Sequence, residues 1–391
     1  MSLNVISGRD PVTGTSLSVE VDAGRIVSIQ PGPEGETAWI SAGLIDLQVN
    51  GYAGYELNDS ELKPETVVAL TAELHRLGVT TFVPTLITAS EEQLVARLRC
   101  IAQARKSDPL VAYSIPYIHV EGPSLSMEDG PRGAHPRAAV RPPDLLEFNR
   151  WQAASGGLVG MVTLSPHWNT AAAYTKALTA QGVHVCLGHT DASAEQITAA
   201  VDAGAVLSTH LGNGSSELMQ RHHNVLWTQL ADDRLFASFI ADGHHLPSAA
   251  LKAMIRAKGI GRSILVSDVT GIGGLAPGTY QSAIGGSVTL AADGRLYLPG
   301  TSYLAGSATP LTATIGKAIK LAKLTLSEAL QMATVNPGQF VGGRGILRAG
   351  ASADLIKFDW SPEVDNIELH AAWVNGRAIE LLPEGATRSR K

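Results

Sequence analysis

Tyr113-Ser114-Ile115-Pro116-Tyr117-Ile118-His119-Val120-Glu121-Gly122-Pro123 is an apolar run that stops abruptly at a carboxylate and a glycine-proline turn. Its body, Tyr113 to Val120, is rich in aromatic and β-branched residues, short, and bounded by turn formers, so it reads as a buried strand. Glu121 then stands at the C-terminal end of that strand. The layout recurs in Gly188-His189-Thr190, Thr209-His210-Leu211 and Val266-Ser267-Asp268, each closing a short apolar run. A carboxylate, two histidines and an aspartate at strand ends suggest one divalent metal and one proton shuttle.

Working outward from this stretch, similar apolar runs span Gly43 to Val49, Thr80 to Pro84, Gly160 to Leu164, His184 to Gly188, Val206 to Thr209, Phe236 to Ile240 and Ile264 to Ser267. Helix-length segments separate them, as in Ser90 to Lys106, Ala192 to Ala203 and Ser248 to Lys258, with apolar residues at helical spacing. Alternating strands and helices imply an α/β fold whose parallel sheet is covered on both faces. Eight such strands make a (β/α)8 TIM-type barrel the expected architecture. The barrel is expected over residues 44–344. The texture differs on either side. Ser16 to Ile29 alternates apolar and polar residues around Asp22-Ala23-Gly24, a β-hairpin pattern, and strands return in Ala353 to Phe358 and Ala371 to Arg377. Residues 1–43 and 345–391 are therefore expected to pair as one small discontinuous β-domain.

Composition narrows the class of function. The chain has 391 residues, 45% hydrophobic and 17% charged, which suits a large buried core and lacks the signature of disorder. A formal net charge of -6 with scattered lysines and arginines offers no basic stripe, so no nucleic acid is expected as partner. Small solutes fit better. Cys100 and Cys186 lie far apart in apolar runs and read as buried core thiols, not a disulfide framework. No apolar run approaches membrane-spanning length, and Met1 to Asp10 lacks a basic segment and apolar core, so a cytoplasmic protein without membrane contact is expected.

In a parallel barrel the C-terminal strand ends share one face, which brings Glu121, His189, His210 and Asp268 together despite their separation in sequence. Carboxylate oxygen and imidazole nitrogen suit Zn²⁺ and neighbouring transition metals, and three protein ligands leave a position for water. Glu121, His189 and His210 would be the ligands. Asp268 could take a proton from that water and pass it to a leaving amine, which is hydrolysis of an amide or related bond. Each residue also has a plainer reading. Glu121 could be a charge at a helix start and Asp268 a helix cap, while His75, His167, His184 and His370 read as core-satisfied or solvated histidines.

The ordered motifs carry a resemblance. Ser41-Ala42-Gly43-Leu44-Ile45-Asp46-Leu47-Gln48-Val49-Asn50-Gly51, Pro84-Thr85-Leu86-Ile87-Thr88, His119 to Pro123, Gly188-His189, Thr209 to Asn213, Ile240 to His245 and Ser267-Asp268 through Gly306-Ser307 are similar to the N-acetylglucosamine-6-phosphate deacetylase family of the amidohydrolase superfamily. The similarity covers nearly the whole chain. It implies a (β/α)8 barrel with a small β-sandwich domain formed from both termini, assembled as a homodimer. It implies metal ligation by Glu121, His189 and His210, with Asp268 as acid/base. Many amidohydrolases carry a His-x-His pair after the first strand for a second metal, whereas Gln48-Val49-Asn50 stands there in this chain. Amides are poor transition-metal ligands, so one divalent ion per subunit is expected. Zn²⁺ is favoured, and Fe²⁺, Co²⁺ and Mn²⁺ are compatible.

The resemblance also implies substrate contacts. Ala134-His135 matches a segment whose histidine contacts the sugar and polarises the amide carbonyl, a second catalytic role. Asn213, Gly214, His245, Leu304, Ala305 and Gly306 match substrate-facing positions, while His244 is an addition where the family more often has an apolar residue. Arg221, eleven residues after His210, matches a phosphate-clamp arginine. Its neighbourhood departs from the family: Gly212-Asn213-Gly214-Ser215-Ser216 replaces a segment with an aromatic and a Met, and His222-His223 follow the arginine. The expected reaction is deacetylation of an N-acetylamino sugar phosphate, N-acetylglucosamine 6-phosphate first, yielding glucosamine 6-phosphate and acetate. A deacetylase of another N-acylated sugar or amino acid is the alternative. A non-catalytic barrel protein would be expected to have lost a ligand or the acid/base, and all four residues are present.

Overall fold

Strands whose residues are buried on both faces must be covered on both, and β1 (Leu44–Val49) and β2 (Val79–Ile87) are buried at every position. They join β3 (Ile118–Glu121), β4 (Val159–Leu164), β5 (His184–Leu187), β6 (Leu207–Ser208), β7 (Phe236–Phe239) and β8 (Ser263–Leu265) in one parallel sheet in chain order. A parallel bridge from Val49 to Val269, with Asp268 N donating to Gln48 O at 3.0 Å, carries the end of β8 back to β1. The sheet is thus an eight-stranded barrel, as the sequence reading expected. A helix follows each strand, from Pro64–Arg76 after β1 to Leu311–Ala322 after β8. Ser90 and Ser193 start their helices with reciprocal capping boxes to Gln93 and Gln196. The computed structural model describes residues 4–363 and 366–381, so residues 1–3, 364–365 and 382–391 of the expected terminal segments lie outside the described residues.

The third barrel strand starts later than expected. Tyr113 does not begin β3, because Pro109–Ser114 is a helix started by Asp108, whose carboxylate accepts from Leu110 N and Val111 N. A capping aspartate followed by proline overrides the strand-like composition of the next residues.

Both termini build a second sheet of seven strands, in the order Arg377–Ile379, Glu368–Val374, Leu355–Asp359, Trp39–Ala42, Asn4–Arg9, Ser16–Asp22, Arg25–Pro31. Its strands are hydrogen-bonded in one continuous sheet, which forms the small β-domain expected from both termini. It curls until Arg25 bridges Ser352 and Ile26 N donates to Ala351 O at 2.9 Å. Ile6, Val19, Val21, Ile26, Ile40, Ala353 and Leu355 fill its core.

An element absent from the sequence reading leaves the barrel immediately after Asp268. β9 (Gly278–Ser282), β10 (Gly286–Leu290) and β11 (Leu296–Tyr297) form an antiparallel sheet over its own core of Ile272, Val288, Leu290, Leu296 and Ala305. Its two ends are pinned together, since Ser307 N donates to Asp268 O and Thr270 N to Ser307 O, both at 3.0 Å. Among the described residues no helix is long and apolar enough to cross a membrane.

Candidate metal and catalytic site

Alternation along β3 and the residues before it puts Tyr117, His119 and Glu121 on one side, with His119 one step deeper than Glu121. His119 Nε2 lies 2.8 Å from Thr163 Oγ1 and its Nδ1 3.3 Å from Thr85 Oγ1, so threonines of β2 and β4 satisfy it. Glu121 is left free to meet histidines that follow β5 and β6. Its Oε1 is 2.9 Å from His210 Nε2 and 3.3 Å from His189 Nε2, and the two Nε2 atoms are 3.2 Å apart. All three residues are buried, and their ligand atoms lie within 4.8 Å of one another.

The chain bends sharply to achieve this. His189, His210 and Asp268 have φ of 50°, 28° and 50°, a left-handed conformation that costs a side-chain-bearing residue on the order of 1–3 kcal/mol. Surrounding structure holds them there. His189 Nδ1 donates to Pro131 O at 2.7 Å, which leaves its Nε2 lone pair facing Glu121 and His210. Gly214 packs flat against the same ring, where a Cβ would come within 2.6 Å of Nδ1. Arg132 Nη1, donating to His135 O at 2.8 Å, ties the Pro131 segment to His135.

This donor set fits a divalent cation. Burial alone would push the Glu121 carboxyl up, yet hydrogen bonds and charge from His189 and His210 hold it well below the ordinary range. For His210, burial opposes protonation but the Glu121 carboxylate prevails and raises the imidazole. Such a cluster demands positive charge at its centre, and a cation between three lone-pair donors supplies it.

Asp268 faces the same cavity. Burial, then the negative charge of Glu121, pushes it up to about 6 against the opposing effects of His210, His245 and the Asn50 hydrogen bond. Asn50 Nδ2 donates to Asp268 Oδ1 at 2.8 Å, and among the described residues Gln48 Nε2 is buried without a hydrogen-bond partner. His135 is buried beside the ligands, its ring centroid 4.3 Å from that of His189, and its Nδ1 lies 3.0 Å from Thr88 Oγ1. Burial, then the nearby His189, pushes His135 down to about 3, so it is neutral. His245 Nδ1 bonds Asp242 Oδ2 at 2.8 Å; burial opposes ionisation of Asp242, but these bonds hold it well below the usual carboxylate range.

A cavity of about 390 Å³ collects these groups. Of the residues singled out from sequence, Glu121, Ala134, His135, His189, His210, Asn213, Gly214, His245, Asp268, Leu304 and Gly306 all line it. Two expected positions do not. Ala305 points into the core of the β9–β11 sheet, because alternation turns it away from its neighbours Leu304 and Gly306. Arg221 is exposed and absent from the lining of its own chain's cavity. The segment after β6 leaves the cavity beyond Glu217, and Trp227 Nε1 and Asn224 Nδ2 fasten to the Arg221 carbonyl at 3.2 and 3.5 Å. His222 and His223 are exposed beside it. Of the histidines read as structural, His75 bonds Ser114 Oγ at 2.7 Å and His184 the Phe340 carbonyl at 3.2 Å.

The sequence reading missed Arg295, Tyr303 and Glu217, which also line the cavity. Asp293-Gly294 between two alternating runs was the available signal for the hairpin that carries Arg295.

Comparisons with known proteins agree with this geometry. The model of the amidohydrolase family matches residues 39–379. The N-acetylglucosamine-6-phosphate deacetylase of Mus musculus is 32% identical over 352 residues, covering 87% of this chain and 83% of that protein. The N-acetylgalactosamine-6-phosphate deacetylase of Shewanella sp. (strain ANA-3) is 31% identical over 341 residues, covering 86% and 82%. Among solved structures, a mutant N-acetyl-D-glucosamine-6-phosphate deacetylase from Mycobacterium smegmatis in complex with N-acetyl-D-glucosamine-6-phosphate superimposes with a TM-score of 0.86 at 28% identity, covering 97% of this chain and 100% of that one.

Proposed function

The chain belongs to the amidohydrolase family, in its N-acetylglucosamine-6-phosphate deacetylase branch, and from that premise we propose that it hydrolyses the acetamide of an N-acetylamino sugar 6-phosphate. The observation that carries this reading is the meeting of Glu121, His189 and His210 with Asp268 around one cavity. N-acetylglucosamine 6-phosphate is the first substrate. N-acetylgalactosamine 6-phosphate is the second reading, favoured by a relative of nearly equal identity.

A divalent ion held by Glu121, His189 and His210, Zn²⁺ in this proposal and one per chain, supplies the acidity that makes water nucleophilic near neutral pH and polarises the acetyl carbonyl. Asp268 takes one proton from the attacking water. Asn50 occupies its Oδ1, which directs Oδ2 to that task. His135 donates from Nε2 to the carbonyl oxygen as charge develops there. That tautomer requires the Thr88 hydroxyl to donate to Nδ1 at 3.0 Å, the shorter of its contacts, the other being the Glu121 carbonyl at 3.3 Å. Asp268 then returns the proton to the departing amine as the C–N bond breaks, and acetate and the free amino sugar leave.

A homodimer belongs to the same proposal, supported by the exposed apolar side chains of Leu218, Met219 and Trp227 around Arg221. A cytoplasmic setting is supported by Cys100 and Cys186, both free and buried. The test is acetate release from N-acetylglucosamine 6-phosphate, its galactosamine epimer and both unphosphorylated sugars, with metal content determined on the same sample. Strong preference for a phosphorylated sugar is expected; acetate from none of the four would refute the reading.

A further inference from the structure

Arg295 is the one lysine or arginine among the residues that line the cavity. It immediately precedes β11, just after the Asp293-Gly294 turn, and its guanidinium carbon sits 4.6 Å from the centre of the Tyr297 ring. Stacking of this kind fixes the plane of the fork while leaving its N–H donors free. Among the described residues no hydrogen bond or ion pair engages the guanidinium, and the neighbouring Asp293 carboxylate accepts from the backbone N of Arg295 at 3.0 Å. The turn is braced from across the cavity. His244 Nε2 donates to the Asp293 carbonyl at 3.1 Å, while its backbone N donates to Asp242 Oδ1 at 2.8 Å. Glu217, a carboxylate of the same lining, accepts from Ser302 Oγ at 3.2 Å.

We propose that Arg295 binds the phosphate end of the substrate within a single chain, and that His244 is a positioning residue that holds the Arg295 turn over the cavity. This rests on the sugar-phosphate reading above and names the residue that gives it selectivity. A phosphate dianion suits a pre-stacked, unpaired guanidinium, whose fork can donate two bonds at once. The assignment also gives His244 a use that an apolar side chain could not serve, because only a ring N–H reaches the Asp293 carbonyl.

The experiment compares kcat and KM for N-acetylglucosamine 6-phosphate and for N-acetylglucosamine in the metal-loaded full chain and in Arg295→Ala, Arg295→Lys, His244→Leu and Arg221→Ala. Arg295→Ala should lower kcat/KM for the phosphorylated sugar about 10- to 100-fold, mainly through KM, and for the unphosphorylated sugar less than about threefold. Arg295→Lys should recover part of the loss, and His244→Leu should shift the same ratio in the same direction by less. If Arg295→Ala affects both sugars alike, or neither, while the parent protein prefers the phosphorylated one, the Arg295 assignment falls alone. If the parent protein shows no such preference, the phosphorylated-substrate reading falls and takes this assignment with it.

Discussion

Asn50 and Asp268, 218 residues apart in sequence, are joined by a 2.8 Å hydrogen bond from the Asn50 amide to Asp268 Oδ1. One residue follows β1 and the other follows β8, so the bond crosses the seam where the barrel closes. The amide of Asn50 thus restrains the carboxylate proposed to move protons. Asn50→Ala should retain the bound metal and lower kcat by about 10- to 100-fold, because Asp268 loses its fixed orientation. Steady-state kinetics with metal analysis on the same sample checks this.

Metal stoichiometry should be one divalent ion per chain. Glu121, His189 and His210 supply three converging ligand atoms, whereas Gln48 and Asn50 offer only amides. Chelation should abolish acetate release, and a single equivalent of Zn²⁺ should restore it. Two tightly bound ions by elemental analysis would contradict this reading of Gln48 and Asn50.

Gly214 should not tolerate a side chain. Its φ of 56° disfavours other residues, and a Cβ would sit 2.6 Å from His189 Nδ1. Gly214→Ala should displace the His189 ring, break its bond to the Pro131 carbonyl and weaken metal affinity by about tenfold or more, measured by competition with a chromogenic chelator.

Stability should fall on mild acidification through His75. Burial pushes this imidazole down to about 4 from 6.5, so between those values the unfolded chain binds the proton that the folded one refuses. Its contribution is complete above pH 6.5 and is lost as pH falls toward 4, with a full span of about 3 kcal/mol. Asp46 and Glu56, both pushed up to about 7 by burial, act in the opposite sense, so the difference between the parent protein and His75→Gln is the informative quantity. In denaturant melts across this range, the stability of the parent protein relative to His75→Gln should fall as pH falls.

The clustering of the candidate site residues was legible because each ends an apolar run, and a barrel sends all such ends to one face. Glu121, His189, His210 and Asp268 therefore needed no knowledge of spacing. Ser248–Lys258 was legible in full, since helical periodicity spans its whole length. Pro109–Ser114 was not, because Val111 and Tyr113 have strand-like side chains and the deciding signal was the Asp108-Pro109 cap. Arg221 and Arg295 show the deeper limit. Which arginine enters the cavity depends on where a loop and a hairpin travel after leaving the barrel, and distance along the chain does not encode that path.

The most direct test of the account is turnover of N-acetylglucosamine 6-phosphate by Asp268→Asn with its metal content measured alongside. Asparagine preserves size and can still meet Asn50, but it cannot carry the proton from water to the leaving amine. The variant should be fully metal-loaded, with kcat for acetate release down by roughly 10²- to 10⁴-fold. Near-normal turnover by the metal-loaded variant would contradict it.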